Sequence, residues 1–388
     1  MKILFYITSY PGYGGIETVT TVLANWFAEH GVVCSILSYW NRTPFLLSKL
    51  SVRVNVSFTP DGGENQVYVT EKNKAFVKDF CTAGDFDYII YQDCYSPIHK
   101  NIQDILPSLR AKFIVVEHNT PLCYLIGYKL YWQKLRWLSI RGFFRKLIYP
   151  YKIYNIKKNT TNRHNELLNI CDKYILLSEQ FKPQLLRLCG DKNALKVGAI
   201  SNPLTLSFQS NNMPKKKQVL WIGRVTRDKG YEFISRIWKI IEEKHPDWLL
   251  VVVGDGENLP ELKKSIEKER LERVRFDGYQ SNVEHYYEES SILMMTSYFE
   301  GFGLVLVEAM SRGCVPLAFN SFPSLVDIID DGIDGYAIPK YDVKMYSRTL
   351  LNLISDEKQR NLMSQKAIVK SDFFNISTIA NQWIQVLK

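Results

Sequence analysis

The feature that most limits the fold of this chain is a pattern present in both halves: a short apolar run, a glycine-bearing loop and an amphipathic stretch. The apolar runs are KILFYIT, VVCSIL, DYIIYQ, KFIVVE and KYILLS in the first half, and QVLWIG, WLLVVVG, VRFDG, ILMMTS and VPLAF in the second. Strands that alternate with helices predict parallel sheets with helices on both faces. We therefore predict an α/β protein with two doubly wound, Rossmann-like domains that face each other across a cleft.

The length of the chain agrees with two domains. Its 388 residues, 46% of them hydrophobic, exceed what one ordinary core holds. The stretch 200–218 is polar, contains two prolines and lacks periodicity, which is typical of an interdomain connection. We place the first domain at 1–200 and the second at 201–370. A C-terminal helix in 371–388, capped near Ser371 or Asp372, is expected to pack back on the first domain.

Cysteine spacing and the first residues bear on the compartment. The seven cysteines are scattered and none is spaced like a zinc knuckle or a redox pair, which indicates reduced thiols in a cytoplasmic protein. The opening MKILFYITSY is apolar but short, and glycines follow it, so it predicts a first strand and not a signal peptide. No apolar run approaches the roughly 18 residues that a membrane-spanning helix requires.

Two segments of the first half place polar groups where a strand ends. In YPGYGGIE, Gly14 and Gly15 would let a ligand approach the backbone, and the helix N-terminus that follows favours an anion. The dinucleotide motif GxGxxG is not matched, so a purely structural turn is the alternative. In FIVVEHN, His118 follows a strand whose carboxyl end should lie in the ligand-binding region, although a structural histidine is equally compatible with the pattern.

The loop LWIGRVTRDKGYEFI repeats this design in the second half. Gly223 ends a strand, and the cations Arg224 and Lys229 lie in the loop before a helix that starts near Tyr231. Two such cations can converge on one phosphate, each contributing about 4 kcal/mol at roughly 4 Å and an effective dielectric constant near 20. A solvated basic loop is the alternative. A Walker loop is excluded because GxxxxGK[ST] does not occur.

The segment YFEGFGLVLVEAM contains two glutamates separated by seven residues. On one helix, Glu300 and Glu308 would lie about 12 Å apart along the axis. The glycines between them instead predict a turn, with Glu300 in the loop and Glu308 near the second turn of the following helix. A salt-bridged helix charge is the alternative for Glu308, but its apolar neighbours mean that the carboxylate needs a partner or a ligand.

Taken in order, these motifs resemble the retaining glycosyltransferases of family 4, which have the GT-B fold. EGFGLVLVE resembles their ExxxxxxxE signature, and GYGGIE, EHN, SNP and GRVTRDKG follow the order of that family. The resemblance implies a hexosyltransferase-type enzyme that moves a sugar from a nucleotide donor, a UDP-sugar first and GDP-mannose second. The implied acceptor is a lipid-linked, cell-surface glycan of capsule, O-antigen or lipopolysaccharide biosynthesis. A sugar-nucleotide epimerase or hydrolase of the same fold is the alternative.

The resemblance also implies roles for individual residues. Glu308 would bind the ribose hydroxyls, while Arg224 and Lys229 would bind the diphosphate in place of a metal ion. His118 would contact the sugar near its reacting carbon and, with Glu300, Arg224 and Lys229, forms the predicted catalytic set. The remaining predicted donor-binding residues are Gly14, Gly15, Gly223, Gly301, Phe302, Gly303 and Leu304. The first domain would bind the acceptor. No cofactor is expected, and no acidic or histidine cluster has metal-ligand spacing.

The sequence leaves the route to retention open. Same-face attack, with the leaving phosphate as base, is the route that the resemblance favours. Double displacement would need a carboxylate nucleophile, for which Asp93, Glu117 and Glu300 are the formal candidates.

Residues 124–163 form a basic, aromatic insert. They contain ten Lys or Arg residues and ten aromatic residues, and no acidic residue occurs between His118 and Glu166. This composition predicts contact with an anionic membrane surface, and hence a peripheral position on the inner face of the cell membrane. The alternatives are a nucleic-acid-binding surface, which we do not expect, and a helical pair whose aromatics fill the core of the first domain.

Overall fold

The structure, a computed structural model, describes residues 1–63, 67–133, 140–206 and 214–388, and of 133 and 140–146 it describes the backbone only. The chain divides into two compact units. Unit 1 comprises Met1–Leu125, Trp137–Thr205 and Ile376–Lys388, and unit 2 comprises Ile126–Arg136 and Leu206–Asn375. Within these described ranges the chain forms the following helices and strands.

Unit 1 is built on a seven-stranded sheet in which every neighbouring pair is parallel. Its strands are β1 Lys2–Ser9, β2 Val33–Trp40, β3 Asn55–Phe58, β4 Tyr88–Tyr91, β5 Lys112–Glu117, β6 Lys173–Leu176 and β7 Val197–Ala199. The helices that lie between these strands in the sequence are α1 Gly15–Glu29, α2 Glu71–Gly84, α3 Cys123–Gln133, α4 Ile140–Ile170 and α5 Lys182–Cys189. Most of α3, from Ile126 onward, belongs to unit 2. The strand order β3-β2-β1-β4-β5-β6-β7 reverses direction between β1 and β4.

The central strand β1 shows why a continuous apolar run was required. Phe5 and Tyr6, whose side chains point to opposite faces of the sheet, are both fully buried. On one face, the ring of Phe5 stacks on Phe27 of α1. On the other, the ring of Tyr6 packs against those of Tyr39 and Tyr91. A strand covered on both faces leaves no position for a solvated side chain.

Unit 2 repeats the design with a six-stranded parallel sheet. Its strands are β8 Lys216–Ile222, β9 Leu249–Val253, β10 Val274–Gly278, β11 Ser290–Met295, β12 Val315–Phe319 and β13 Tyr336–Ile338. Its helices are α6 Ile234–Lys244, α7 Leu259–Lys268, α8 Glu284–Glu289, α9 Leu304–Ser311, α10 Leu325–Ile328, α11 Val343–Ser355 and α12 Glu357–Ser371. The strand order β10-β9-β8-β11-β12-β13 reverses direction between β8 and β11.

The last helix, α13 Ile376–Leu387, belongs to unit 1. There, the indole nitrogen Nε1 of Trp26 on α1 donates a hydrogen bond to Oγ of Ser377 at 3.3 Å. The expected cap near Ser371 or Asp372 was wrong. Ser371 is the final residue of α12, and a 3₁₀ turn over Asp372–Phe374 separates it from α13.

The predicted fold class is confirmed: the chain forms two Rossmann-like, parallel-sheet α/β domains. All ten predicted apolar runs form strands, whereas the short edge strands β3, β7 and β13 were not predicted. The helix expected near Tyr231 begins at Ile234, after a 3₁₀ turn. All seven cysteines are free thiols.

Candidate functional site

The candidate site in unit 2 lies where the strand order reverses, at the carboxyl ends of β8 and β11. Ligands of doubly wound sheets bind at such switch points, in the loops that follow the strands. Here the two loops are joined by hydrogen bonds. Trp221 Nε1 donates to Thr296 Oγ1 at 3.0 Å, Thr296 Oγ1 donates to the carbonyl of Lys229 at 2.9 Å, and Tyr298 N donates to the carbonyl of Asp228 at 2.7 Å. The two loops therefore form one continuous, hydrogen-bonded surface.

Two predicted site residues meet on this surface. The Nζ atom of Lys229, in the β8–α6 loop, lies 2.7 Å from Oε1 and 2.8 Å from Oε2 of Glu300, in the β11–α9 loop. Ser297 Oγ donates a further hydrogen bond to Glu300 Oε1 at 2.7 Å. The two side chains are only 23% and 12% exposed, so the pair is shielded from most of the solvent. The structure thus brings together a cation and a carboxylate from different loops.

Glycine permits this close approach of the loops. Gly230 has φ of 65°, and a Cβ atom there would lie 2.0 Å from the carbonyl oxygen of Thr296. Gly223, which follows β8, has φ of 151°, and its own carbonyl oxygen lies 1.9 Å from where a Cβ on Gly254 would be. A side chain at Gly230 would push the two loops apart, and one at Gly254, which follows β9, would displace Gly223.

Arg224, the second predicted phosphate-binding cation, is exposed. Its guanidinium makes no ion pair with a residue that the structure describes. The neighbouring cation Arg227 is half-buried and belongs to the 3₁₀ turn that precedes Gly230. Arg224 is therefore the more accessible of the two arginines in this loop.

The glycine-rich segment before α9 presents mainly its backbone. Gly303 is the N-cap of α9 with φ of 102°, and Leu304 is the first helical residue. The side chain of Phe302 is buried and its ring packs edge-on against Phe374. Ser324 Oγ donates a hydrogen bond to the carbonyl of Phe302 at 3.2 Å and so stabilises this segment. Gly301 is also buried. The predicted donor contacts of this segment would therefore come from main-chain groups.

Glu308 lies at the start of the second turn of α9, as the sequence predicted, and is half-buried. The hydroxyl of Tyr287, on α8, donates to Glu308 Oε2 at 2.8 Å. Tyr287 was missed by sequence reasoning because it lies on a different helix, 21 residues earlier, and no motif marks it.

In unit 1, the predicted glycines lie at the N-terminus of α1. Gly14 is the N-cap and Gly15 the first helical residue, and both are exposed. The carboxylate of Glu17 folds back over this end of the helix: a Cβ on Gly14 would lie 2.2 Å from its Oε2, and Ser9 Oγ donates to its Oε1 at 3.3 Å. Desolvation raises the pKa of Glu17. A carboxylate of the chain itself thus approaches the place where the sequence predicted an anion.

His118 follows β5 and is fixed by the side chain of Gln92, which follows β4. Its Nε2–H donates to Oε1 of Gln92 at 2.5 Å, which leaves Nδ1 as the acceptor nitrogen of a neutral ring. Burial lowers the pKa of His118 to about 3, so the ring is neutral at physiological pH. Gln92 was missed by sequence reasoning, although it is the last residue of the predicted run DYIIYQ.

Glu117 forms a buried polar cluster next to His118. Its carboxylate accepts hydrogen bonds from the hydroxyl of Tyr174 at 3.1 Å and from the backbone N–H of Asn119 at 3.2 Å, and the Nδ1 atom of His164 lies 2.9 Å from the same hydroxyl. Glu117 is 0% exposed, and desolvation raises its pKa to about 7. The burial argues against Glu117 as a nucleophile and favours a structural role.

The basic, aromatic insert is divided between buried and exposed side chains. On α3, the ring of Trp132 is buried and packs against Tyr128. On α4, by contrast, an apolar surface is exposed together with three lysines: Leu147, Ile148, Tyr151, Tyr154, Lys152, Lys157 and Lys158. Predicted insert residues Lys134, Arg136 and Trp137 lie outside the described residues, as do the side chains of Arg141, Phe143, Phe144, Arg145 and Lys146.

The described ranges contain neither a helix suited to cross a membrane nor a cluster suited to hold a metal ion. Among the helices there, none combines the length and the apolar character that crossing a membrane requires. No group of three or more His, Cys, Asp or Glu side chains in that part of the chain is arranged to hold a metal ion.

Two parallel-sheet Rossmann-like units, with charged strand-to-helix loops at the switch point, are the architecture of the GT-B class. Residues 204–370, which form most of unit 2, match the family model "Glycosyl transferases group 1". This part of the chain is therefore similar to the glycosyltransferase group 1 domain.

Relatives agree with this domain assignment. The chain is 25% identical over 394 residues to an "Uncharacterized glycosyltransferase" of Haemophilus influenzae, covering 100% of this chain and 99% of that protein. It is 30% identical over 224 residues to the "Amylovoran biosynthesis glycosyltransferase AmsD" of Erwinia amylovora, covering 56% of this chain and 62% of that protein. The domain match and these relatives support a hexosyltransferase-type enzyme, as the sequence predicted.

A solved structure shows the same fold. The chain superposes on a mutant of Staphylococcus aureus TarM, in complex with fondaparinux, alpha-GlcNAc-glycerol and UDP, with a TM-score of 0.76. The match covers 100% of both chains at 14% sequence identity. At this identity the likeness concerns the fold alone.

Proposed function

We propose that this protein is a retaining glycosyltransferase of family 4 that transfers a sugar from a UDP-sugar to a growing bacterial cell-surface glycan. The observation that carries the proposal is the meeting of Lys229 and Glu300 at the switch point of a glycosyltransferase group 1 domain. Neither a generic basic loop nor a solvated helix charge would explain a shielded pair supplied by the two loops that flank a reversal in strand order.

The proposed donor site divides the nucleotide sugar among the residues of unit 2. Lys229 and Arg224 bind the diphosphate, and Glu308 binds the ribose hydroxyls. Glu300 and the backbone of 301–304 orient the hydroxyls of the sugar. Negative charge grows on the leaving phosphate as the glycosidic bond breaks, so fixed cations there stabilise the transition state more than the ground state. We therefore propose that transfer needs no metal ion and no cofactor.

For unit 1 we propose the acceptor-binding role, with three residues that serve the donor. Backbone N–H groups at Gly14 and Gly15 would bind phosphate oxygens, as helix N-termini do. Glu17, which now covers that helix end, would have to turn away or be protonated. His118, neutral and held by Gln92, is proposed to contact the sugar near its reacting carbon. A neutral ring can accept a hydrogen bond from a sugar hydroxyl without opposing the positive charge that develops on the sugar.

The choice of UDP-sugar and of a lipid-linked acceptor goes beyond the domain assignment. UDP is supported by its presence in the TarM complex, whose fold this chain shares, and GDP-mannose is the alternative donor. A glycan polymer is supported by the relative AmsD, which is named for amylovoran biosynthesis. The exposed lysines and tyrosines of α4 support a peripheral position on the anionic inner face of the cell membrane, where a lipid-linked acceptor would be reached.

A donor panel followed by a turnover assay tests the proposal. Thermal-shift measurements with UDP-glucose, UDP-N-acetylglucosamine, UDP-galactose and GDP-mannose identify the donor, and we expect stabilisation by at least one UDP-sugar. Anomeric configuration in the product, read by NMR, tests retention. A sugar-nucleotide epimerase or hydrolase would convert the donor at full rate without any acceptor. Binding to single-stranded RNA, with no response to any nucleotide sugar, would contradict the proposal.

A further inference from the structure

Helices α8 and α9 of unit 2 are joined by a hydrogen bond that the proposed chemistry does not yet use. The hydroxyl of Tyr287 on α8 donates to Oε2 of Glu308 on α9 at 2.8 Å. Tyr287 is 0% exposed, whereas Glu308 is half-buried. Burial and the nearby carboxylate raise the pKa of Tyr287, so the hydroxyl stays protonated and acts as the donor.

Further contacts join helices α8 and α9 on both sides of this hydrogen bond. The Nζ atom of Lys215 donates to the carbonyl of Tyr287 at 2.8 Å and to the carbonyl of Arg312, the C-cap of α9, at 2.5 Å. One ammonium thus caps the carboxyl ends of two helices, where positive charge is favourable. The guanidinium of Arg312, 0% exposed, lies 3.5 Å from a carboxylate oxygen of Glu284 and 3.6 Å from one of Glu288, both on α8. Neither helix can shift without breaking these contacts.

Tyr287 differs from an ordinary core tyrosine in the group that accepts the hydrogen bond from its hydroxyl. Tyr346 is equally buried in the same unit. Its hydroxyl donates to the main-chain carbonyl of Leu317, in β12, at 2.5 Å. Tyr287 instead donates to the side-chain carboxylate of the half-buried Glu308. A carboxylate has about four acceptor positions, so it can bind a diol while the tyrosine bond is kept.

We propose that Tyr287 is a positioning residue that holds the carboxylate of Glu308 in the orientation that binds the two ribose hydroxyls of the nucleotide. This inference rests on the proposed function, because Glu308 has a ribose-binding role only there. Tyr287 itself does not touch the donor. Its loss removes one of the contacts that fix the carboxylate, and each ribose contact then costs additional side-chain entropy.

The test compares the binding of UDP and of 2′-deoxy-UDP by isothermal titration calorimetry (GDP and 2′-deoxy-GDP if the donor panel selects guanine). The quantity measured is the ratio of the two dissociation constants, which depends on ribose recognition and not on overall stability. We expect the wild type to prefer UDP by about tenfold or more, in the range of a hydrogen bond to a charged group. Glu308→Ala should abolish this preference, and Tyr287→Phe should reduce it about threefold to tenfold.

Steady-state kinetics gives a second measurement. Because the ribose contact is the same in ground and transition states, Tyr287→Phe should raise KM for the donor about fivefold and leave kcat within twofold. Tyr286→Phe is the matched control: it lies on the same helix, is also buried, and its hydroxyl interacts with Asp277. It should keep the wild-type ratio. Lys215→Met, which loosens the helix ends without touching the hydroxyl, should lower the ratio in the same direction and would serve if Tyr287→Phe did not fold.

The outcomes separate the inference from the function on which it rests. If Glu308→Ala abolishes the preference for UDP while Tyr287→Phe and Lys215→Met keep it, the positioning role is overturned and the proposed function stands. If the wild type binds UDP and 2′-deoxy-UDP equally and Glu308→Ala changes neither, the ribose role of Glu308 itself is wrong. A reduced preference in Tyr287→Phe, with Tyr286→Phe unchanged, supports the inference.

Discussion

Lys229 and Glu300, 71 residues apart in the sequence, form a two-pronged ion pair, with the ammonium 2.7 Å and 2.8 Å from the two carboxylate oxygens. The pair joins the two loops that flank the reversal in strand order of unit 2. A lysine held in this way has a fixed position before any anion binds. When a diphosphate arrives, the ammonium can share its three donors between phosphate and carboxylate, so little reorganisation is needed.

Removing either loop cation should slow transfer. We expect Lys229→Ala and Arg224→Ala each to lower kcat by at least about tenfold, equivalent to about 1.4 kcal/mol of lost transition-state stabilisation. Initial rates at saturating donor measure the effect. Lys217→Ala is the matched control, because this lysine is 66% exposed and lies near the amino end of β8, away from the loops. Unchanged turnover in either loop variant would refute the assignment of these cations to catalysis.

The buried carboxyl of Glu117 should make stability depend on pH. Its pKa is raised from 4.5 to about 7 in the folded protein, so between these values the folded state keeps a proton that the unfolded chain has released. This contribution to stability is present below pH 4.5 and is lost as the pH rises through 7. Glu117→Gln stays neutral at every pH. Its free energy of unfolding, relative to that of the wild type, should therefore increase by about 2–3 kcal/mol from pH 5 to pH 8.

Urea denaturation at the two pH values measures that difference. The exposed Glu29→Gln is the control and should show no such trend. A constant difference between Glu117→Gln and the wild type across this range would show that the carboxyl is already ionised in the folded protein.

The neutral ring of His118 predicts how activity should respond to pH. Because its pKa is lowered to about 3, this histidine should cause no loss of activity between pH 8 and pH 5. Gln92→Glu would place a carboxylate against Nε2 and raise the pKa of the ring, so activity should now fall as the pH falls through this range. Gln92→Leu, which removes the hydrogen bond without adding charge, should lower activity equally at all pH values. Identical pH profiles for the wild type and Gln92→Glu would contradict the assignment.

The exposed surface of α4 predicts binding to anionic lipid. Reversing the charge of two lysines, in Lys157→Glu combined with Lys158→Glu, should weaken sedimentation with phosphatidylglycerol-containing liposomes by at least about 30-fold, since each cation contributes about 1 kcal/mol. Lys264→Glu with Lys268→Glu, two exposed lysines of α7, is the matched control. Wild-type binding that is no stronger to anionic than to neutral liposomes would reject the membrane surface.

Transfer should also proceed without a metal ion, because in the proposed donor site Lys229 and Arg224 supply the positive charge at the diphosphate. We expect full turnover after dialysis against EDTA, measured with the donor that the panel selects. Activity that is lost in EDTA and restored by Mn²⁺ would show that the two cations are insufficient.

Much of the fold could be predicted because strands covered on both faces must be continuously apolar. The run that forms β1 and the run VPLAF of β12 are examples, and both are buried almost throughout. The strands β3, β7 and β13 were missed because each lies at the edge of its sheet and has only three or four residues, several of them half-buried. An edge strand needs only one neighbour, so its sequence is less constrained.

The sequence predicted individual residues of the candidate site but not the residues that hydrogen-bond to them. Lys229, Glu300 and Glu308 were recognised because glycines and charges interrupt apolar runs at these positions. Tyr287 and Gln92, which hold two of the predicted residues, could not be recognised in the same way. Their partners are 21 and 26 residues away along the chain, and only the packing of separate elements brings each pair together.

Because Gly230 has no side chain, it limits how the two loops of unit 2 can be redesigned. Because the carbonyl of Thr296 fills the space where a β-carbon would stand, the separation of the two loops is set by main-chain atoms. Redesign of donor preference should therefore leave loop lengths and glycines untouched and vary the exposed rim around them. Even Gly230→Ala would move the loops apart and so separate the ammonium of Lys229 from the carboxylate of Glu300, although neither of these two residues is changed.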